Sequence, residues 1–269
     1  MRHAWLIIAH NQFGILQRLV SLLDDERSDF FILFDKKVRE LPDIHVEKGH
    51  LYRPDNRIDV RWGAYSLVQA EMTLLSAAME QDGYDYYHII SGTTLPLKSV
   101  DELDAYFSGM AGKSVVMGLC KDDPYQETLK LHRYNLFLRN YASRNALLRK
   151  TSQFLWKSAI ALQRILDVRI NQEGDFYKAS NWLSLTQDAA QYLLSRKDAI
   201  ARTYRYAFCG DEYFVPSELM SASAFRDRIA DDAYYLMLRM GRSNTDTLRM
   251  EEFPALQQSR YLFARKFAQ

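Results

Sequence analysis

The sequence predicts an α/β fold, a mostly parallel sheet with helices on both faces. Three observations predict it. Short, continuously apolar runs recur at residues 5–9, 30–34 and 86–90, and unbroken rather than alternating apolar runs are what strands buried on both faces require. Between them the apolar residues fall at helical spacing, so strand and helix alternate along the chain. Finally, 48% hydrophobic residues over 269, with only 11 Gly and 6 Pro, supply a large core and exclude a disordered or fibrous chain.

Taken in order, residues 5–9 read as a strand that ends on His10, and a helical pattern covers 14–23. Residues 30–34 form a second strand ending on Asp35-Lys36-Lys37, and Val60 is expected to close a third. Leu67, Ala70, Leu74, Leu75 and Ala78 give residues 67–79 a helical apolar face. A fourth strand at 86–90 ends on Ser91-Gly92, and a fifth is expected at 115–119. Residues 125–170 read as a helical insertion. No repeat or linker interrupts the chain, so 1–269 is expected to be one domain. Ligands of open α/β sheets bind beyond the carboxyl ends of the strands, which makes His10, Asp35, Ser91 and Gly92 candidates.

Charge narrows the function. Lys+Arg 35 against Asp+Glu 34 leaves a net charge of +1, no overall field for nucleic acid. Cys120 and Cys209 suggest neither a disulfide framework nor a C-x-x-C site. The opening apolar run is too short for a signal segment, and no stretch approaches the length of a spanning helix. A cytoplasmic protein is the expectation. Residues 141–170 interleave six Arg and Lys with large apolar side chains. A basic amphipathic helix lying on the inner face of the membrane is one reading, and an ordinary helix packed on the core is the other.

The usual dinucleotide, P-loop and hydrolase signatures are absent from the sequence, as is any Asp-x-Asp triplet, by which many nucleotide-sugar transferases hold a divalent ion. The six His show no zinc-like spacing, so neither a metal nor a cofactor is expected. One acidic pair, Asp211-Glu212, lies between Phe208-Cys209 and Tyr213-Phe214. A carboxylate in such surroundings makes a good general base, although an acidic pair also suits a helix amino terminus.

Several segments together resemble the core-2/I-branching β-1,6-N-acetylglucosaminyltransferases and their xylosyltransferase relatives, glycosyltransferase family 14. Trp5 to His10 is similar to that family's first strand, and Phe34-Asp35-Lys36-Lys37 to its second, ending "V-D-x-K". Trp62 to Glu71 resembles the helix start "W-x-x-x-S-x-V-x-A", and Tyr86 to Lys98 resembles "Y-x-x-x-L-S-G-x-D-x-P-[IL]-K", with Thr94 in place of the Asp. Ser180 to Thr186 resembles "G-S-x-W-x-x-L-[ST]" with Ala179 replacing the Gly. Gly210 to Phe214 resembles "P-D-E-x-[FL]" with Gly210 replacing the Pro, and Leu262 to Phe267 matches "L-F-A-R-K-F". The pieces occur in family order from residue 5 to 267.

The resemblance implies a GT-A-type fold and an inverting, metal-independent transfer from a UDP-sugar to a glycan hydroxyl. UDP-GlcNAc is the implied donor, with UDP-xylose or another UDP-sugar, or a non-catalytic nucleotide-sugar or glycan binder, as alternatives. The product would be β-linked, β-1,6 by family, on a surface polysaccharide precursor. Glu212 would be the general base, with Asp211 a cap or orienting neighbour. Lys266 and Arg242, with Arg239 and Arg249 as alternatives to the latter, would neutralise the diphosphate in place of a metal. Trp62 would stack on the uracil, Asp35 would accept from uracil or ribose, and His10 would lie at the uridine. Ser91, Gly92, Asn181 and Trp182 would line the donor-sugar and acceptor cleft.

Overall fold

The computed structural model describes residues 1–81, 83–241 and 245–268. The amino-terminal half runs β1 (His3–Ala9), α1 (Phe13–Leu23), β2 (Ser28–Phe34), β3 (Leu51–Tyr52), α2 (Ser66–Met79), β4 (Tyr86–Ser91), β5 (Leu95–Pro96), α3 (Val100–Gly109) and β6 (Ser114–Val116). Two helices, α4 (Pro124–Leu131) and α5 (Ala146–Ile165), make the helical insertion. Then follow β7 (Leu183–Thr186), α6 (Gln187–Ser195), α7 (Lys197–Tyr204), α8 (Phe214–Ser221), β8 (Ile229–Asp231), β9 (Leu236–Leu238), β10 (Leu248–Arg249), β11 (Phe263–Arg265) and β12 (Phe267–Ala268).

Seven strands form the main sheet in the order β3-β2-β1-β4-β7-β6-β8. β1 stands third in that order, beside the central β4, and is parallel to both neighbours, with Trp5 opposite Phe30 on one side and His88 on the other. Every residue of β1, β2 and β4 is buried, as the unbroken apolar runs require. The chain steps from β1 to β2 in one direction and crosses back to β4 in the other, so right-handed crossovers put α1 and α2 on opposite faces. On one face α2 and α6 cover β1, β2 and β4. On the other, the rings of Trp5 and His88 meet Phe107 of α3 and Phe263 of β11.

Two expectations need correcting. The third strand is Leu51–Tyr52, paired with Phe30 and Phe31; Val60 stays irregular, and its carbonyl accepts from Lys37 Nζ at 2.5 Å. The strand expected at 115–119 is β6, which ends at Val116 because Gly118 turns the chain with φ +74°. The sheet also has an antiparallel member, β7, wedged between β4 and β6. No described helix is long and apolar enough to cross a membrane.

Candidate active site

The carboxyl ends of the parallel strands bring the amino-terminal candidates to one edge. Asp35, just after β2, is buried and donates its backbone N–H to Ala9 O at 2.9 Å. Its carboxylate accepts from Lys37, at 2.8 Å from the backbone N–H and 2.6 Å from Nζ, leaving lone pairs for a further donor. His10 has an exposed side, yet desolvation is the largest influence on its ring and pushes its pKa down; Asp35 opposes this, while Lys37, Lys266 and Arg144 add to it. The imidazole therefore shares one field with the carboxyl-terminal Lys266 and with Arg144 of the insertion. Ser91 is buried, its hydroxyl bonded to those of Thr93 and Thr94. The close approach that Gly92 permits is to β1: a Cβ there would lie 3.0 Å from Ala9 Cβ.

Trp62 stands 54% exposed, stacked on Tyr141 at 5.9 Å and edge-on to Phe208 at 5.5 Å. Its neighbour Gly63 takes φ +72°, and a Cβ there would sit 2.5 Å from Phe208, so only glycine fits. Gly63 O accepts from Cys209 N at 2.9 Å. The loop that carries the indole is thereby fastened to the residues just before the acidic pair. Burial pushes the Cys209 thiol well above its usual range, so this cysteine is no nucleophile.

Gly210, Asp211 and Glu212 form a single 3₁₀ turn leading into α8. Glu212 Oε2 pairs with Lys178 Nζ at 3.2 Å, and Glu212 O accepts from Ala179 N at 2.9 Å. The turn is thus tied to the stretch that holds Asn181 and Trp182. Beside it, Asp122 accepts from Lys130 Nζ at 2.9 Å and from the Tyr213 hydroxyl. Asp211 is not a cap. It is buried, its Oδ1 has no hydrogen-bond partner, and α8 has no side-chain cap. Across from it lies Glu71 of α2, fully buried with neither oxygen well bonded. Burial, then the neighbouring Asp211, push Glu71 well above the carboxylate range, weakly opposed by Asn181. Burial and Glu212 push Asp211 up to about 7. Two buried carboxyls close together repel as anions, which favours the protonated form.

At the carboxyl terminus, Phe267 N donates to Thr93 O at 2.9 Å, drawing the last strands onto the loop after β4. Lys266 is exposed and has no carboxylate within 4 Å among the described residues. Arg265 lies over Trp182, guanidinium carbon 4.8 Å from the ring centroid, with its Nε buried and unbonded. Desolvation pushes it down to about 10. A half-buried cation with only a π face for company is one anion short. Arg242 lies outside the described residues. Of its alternatives, Arg239 is engaged by Glu252 at 2.5 and 3.2 Å.

The structure therefore gathers Trp62, Asn181, Trp182, Asp211 and Glu212 around one acidic turn, and His10, Asp35, Ser91 and Lys266 along the adjoining strand edge. Sequence reasoning missed Lys178, Glu71, Asp122 and Arg265. Only Arg265 carried a signal, as the residue before Lys266. A separate hollow of about 560 Å³, lined by residues such as Asn171, Phe176, Thr203 and Glu218, contains none of these groups.

The family model of the Core-2/I-Branching enzyme matches residues 3–246. No curated protein matches significantly. Among solved structures, the apo form of mouse xyloside xylosyltransferase 1 is 9% identical, with 98% of this chain and 96% of that chain covered and a TM-score of 0.42. That likeness is too slight to carry a functional argument.

Proposed function

The chain belongs to the Core-2/I-Branching enzyme family of glycosyltransferases, and from that premise we infer that it moves GlcNAc from UDP-GlcNAc onto a glycan hydroxyl, without a metal and with inversion, to give a β-linked (β-1,6) product for a surface polysaccharide. A nucleotide-sugar donor and a glycan acceptor are what the family implies. The observation that carries the finer reading is that the stretch tied to the acidic turn through Ala179 N and Glu212 O holds Trp182, over whose ring lies Arg265, the residue before Lys266.

In this reading the acceptor hydroxyl attacks the anomeric carbon on the face away from the nucleotide. Glu212 takes its proton, the bond from C1 to the diphosphate oxygen breaks, and UDP leaves with the electron pair. One displacement inverts an α-linked donor to a β-linked product. Lys178 holds Oε2 of Glu212, leaving Oε1 to receive the proton. Negative charge builds on the diphosphate as the bond breaks, so cations fixed beforehand lower the barrier. Lys266 supplies a point charge and Arg265 a guanidinium already stripped of water. His10, Asp35 and Trp62 supply the uridine side.

The test is a donor screen read as UDP release in EDTA, with the anomeric configuration of the product followed by NMR. UDP-GlcNAc should be turned over, slowly by hydrolysis where no acceptor is added, and the product should be β. Turnover of UDP-xylose alone, or an α product, overturns the donor or the stereochemistry. No release from any UDP-sugar favours a binder.

A further inference from the structure

The helix α5 buries Trp156 and Ile160 against Leu138 and Phe208, yet carries large apolar side chains on its outer face as well. Its inward face is Ser152, Trp156, Ile160 and Gln163, held by polar bonds. Trp156 Nε1 donates to Asn135 Oδ1 at 2.9 Å, Gln163 exchanges hydrogen bonds with the backbone of Tyr134 at 2.8 and 2.9 Å, and the Ser152 hydroxyl donates to Phe137 O. The outward face carries large apolar side chains: Leu147, Phe154 and Ile165 fall in one line opposite Trp156 at about 100° per residue, with the small Thr151 and Ser158 between them and Leu148, Leu155 and Leu162 beside them. Phe154 is 69% and Ile165 81% exposed. Nine of the fifteen exposed large apolar side chains among the described residues lie between Leu136 and Leu166, so chance scatter does not account for them.

The charges are arranged with the same bias. From Leu136 to Leu166 there are six cations, Arg139, Arg144, Arg149, Lys150, Lys157 and Arg164, and no Asp or Glu. In a chain of net charge +1 this is a strong local excess, and among the described residues none of the six makes an ion pair. Lys150, Lys157 and Arg164 recur every seven residues along one flank of the apolar line, where cations reach the headgroups of lipids under which the apolar row is buried. A second copy of this face would repel the first. We propose that α5 lies flat on an anionic bilayer surface, its Leu147–Phe154–Ile165 row in the acyl boundary and its cation row on the headgroups.

Vesicle flotation of the full chain tests this. The protein should float with vesicles of phosphatidylglycerol and phosphatidylcholine at low salt, far less with phosphatidylcholine alone, and be released by salt. Lys150→Gln, Lys157→Gln and Arg164→Gln together should weaken binding about a hundredfold, about fivefold per cation. Leu147→Gln, Phe154→Gln and Ile165→Gln together should abolish flotation with an unchanged thermal melt, because these side chains already face water. In a Phe154→Trp variant the new indole should be quenched by brominated acyl chains. Failure to float at low salt, flotation indifferent to the apolar row, or an unquenched residue 154 would overturn the proposal. So would a dimer, seen by light scattering, that Phe154→Gln splits.

Discussion

Two neighbouring carboxyls, Asp211 and Glu212, have opposite surroundings and so opposite expected responses to neutralisation. Glu212 is half-exposed and held by Lys178. Glu212→Gln keeps its size but cannot take a proton, and loss of a positioned base costs about 10²–10⁴ in rate. Turnover should fall by that factor while UDP-sugar affinity holds; near-parental turnover in a folded variant would move the base elsewhere. Asp211 is buried with an unbonded oxygen. Its folded pKa of about 7 lies above the unfolded value, near 4, so the folded state keeps a proton that the unfolded state gives up. Stability is full below pH ~4 and falls, by on the order of a few kcal/mol, as pH rises to ~7. Asp211→Asn removes this loss. By urea unfolding the variant should match its parent near pH 4 and exceed it near pH 8; a variant weaker at pH 8 would mean that the ionised carboxylate makes a stabilising contact.

At the scale of elements, a chain of buried polar groups crosses the sheet. His3 Nδ1 lies 2.9 Å from His88 Nε2, His88 Nδ1 lies 2.7 Å from Ser184 Oγ, and Ser184 Oγ lies 3.0 Å from the Tyr235 hydroxyl, joining β1, β4 and β7 to the loop before β9. Burial pushes both imidazoles down, His88 well below its ordinary range. The unfolded chain takes up protons below pH ~6.5 that the folded one refuses, so stability falls on acidification by about 1.4 kcal/mol per pH unit for each neutral imidazole. Asp211 and Glu71 act in the opposite sense, so variants, not the bulk curve, separate them. His88→Phe keeps a ring on Trp5 and leaves His3 and Ser184 short of a partner. It should be about 1–3 kcal/mol less stable at pH 7.5, a gap that narrows as pH approaches 5. A gap constant with pH would place the titration elsewhere. The strands that carry this chain were partly legible. Unbroken apolar runs gave away β1, β2 and β4, whereas Leu-Ser-Leu-Thr of β7 is too short and too polar to stand out. Val60 misled because an isolated β-branched residue fits a strand as well as a loop. α5 showed as mixed basic and apolar residues, but which side faced the protein depended on Asn135 and Tyr134, which precede the helix and have no place on its wheel.

Across the whole molecule, charge is divided between the two sides of the candidate site. Asp35, Glu212 and Asp122 each have a lysine, in Lys37, Lys178 and Lys130, while Lys266 and Arg265 have no carboxylate among the described residues. The family motifs made Glu212 and Lys266 legible in the sequence, since each sits in a short contiguous signature. Lys178 and Glu71 were hidden because their partners are 34 and 140 residues away, a separation that only the folded sheet closes. The resulting surplus of unpaired cations suits a diphosphate. UDP should therefore raise the melting temperature equally in EDTA and in Mn²⁺, by an amount equivalent to about 2.7 kcal/mol at a hundredfold excess over Kd. Added salt should reduce the effect. Lys266→Ala should weaken UDP by about 1.5–3 kcal/mol, as expected for a charge-assisted contact, and leave uridine binding as in the parent, because uridine has no phosphate for the ammonium to meet. A shift that vanishes in EDTA and returns with Mn²⁺ would restore the metal, and with it a ligand set that the paired carboxylates would first have to release.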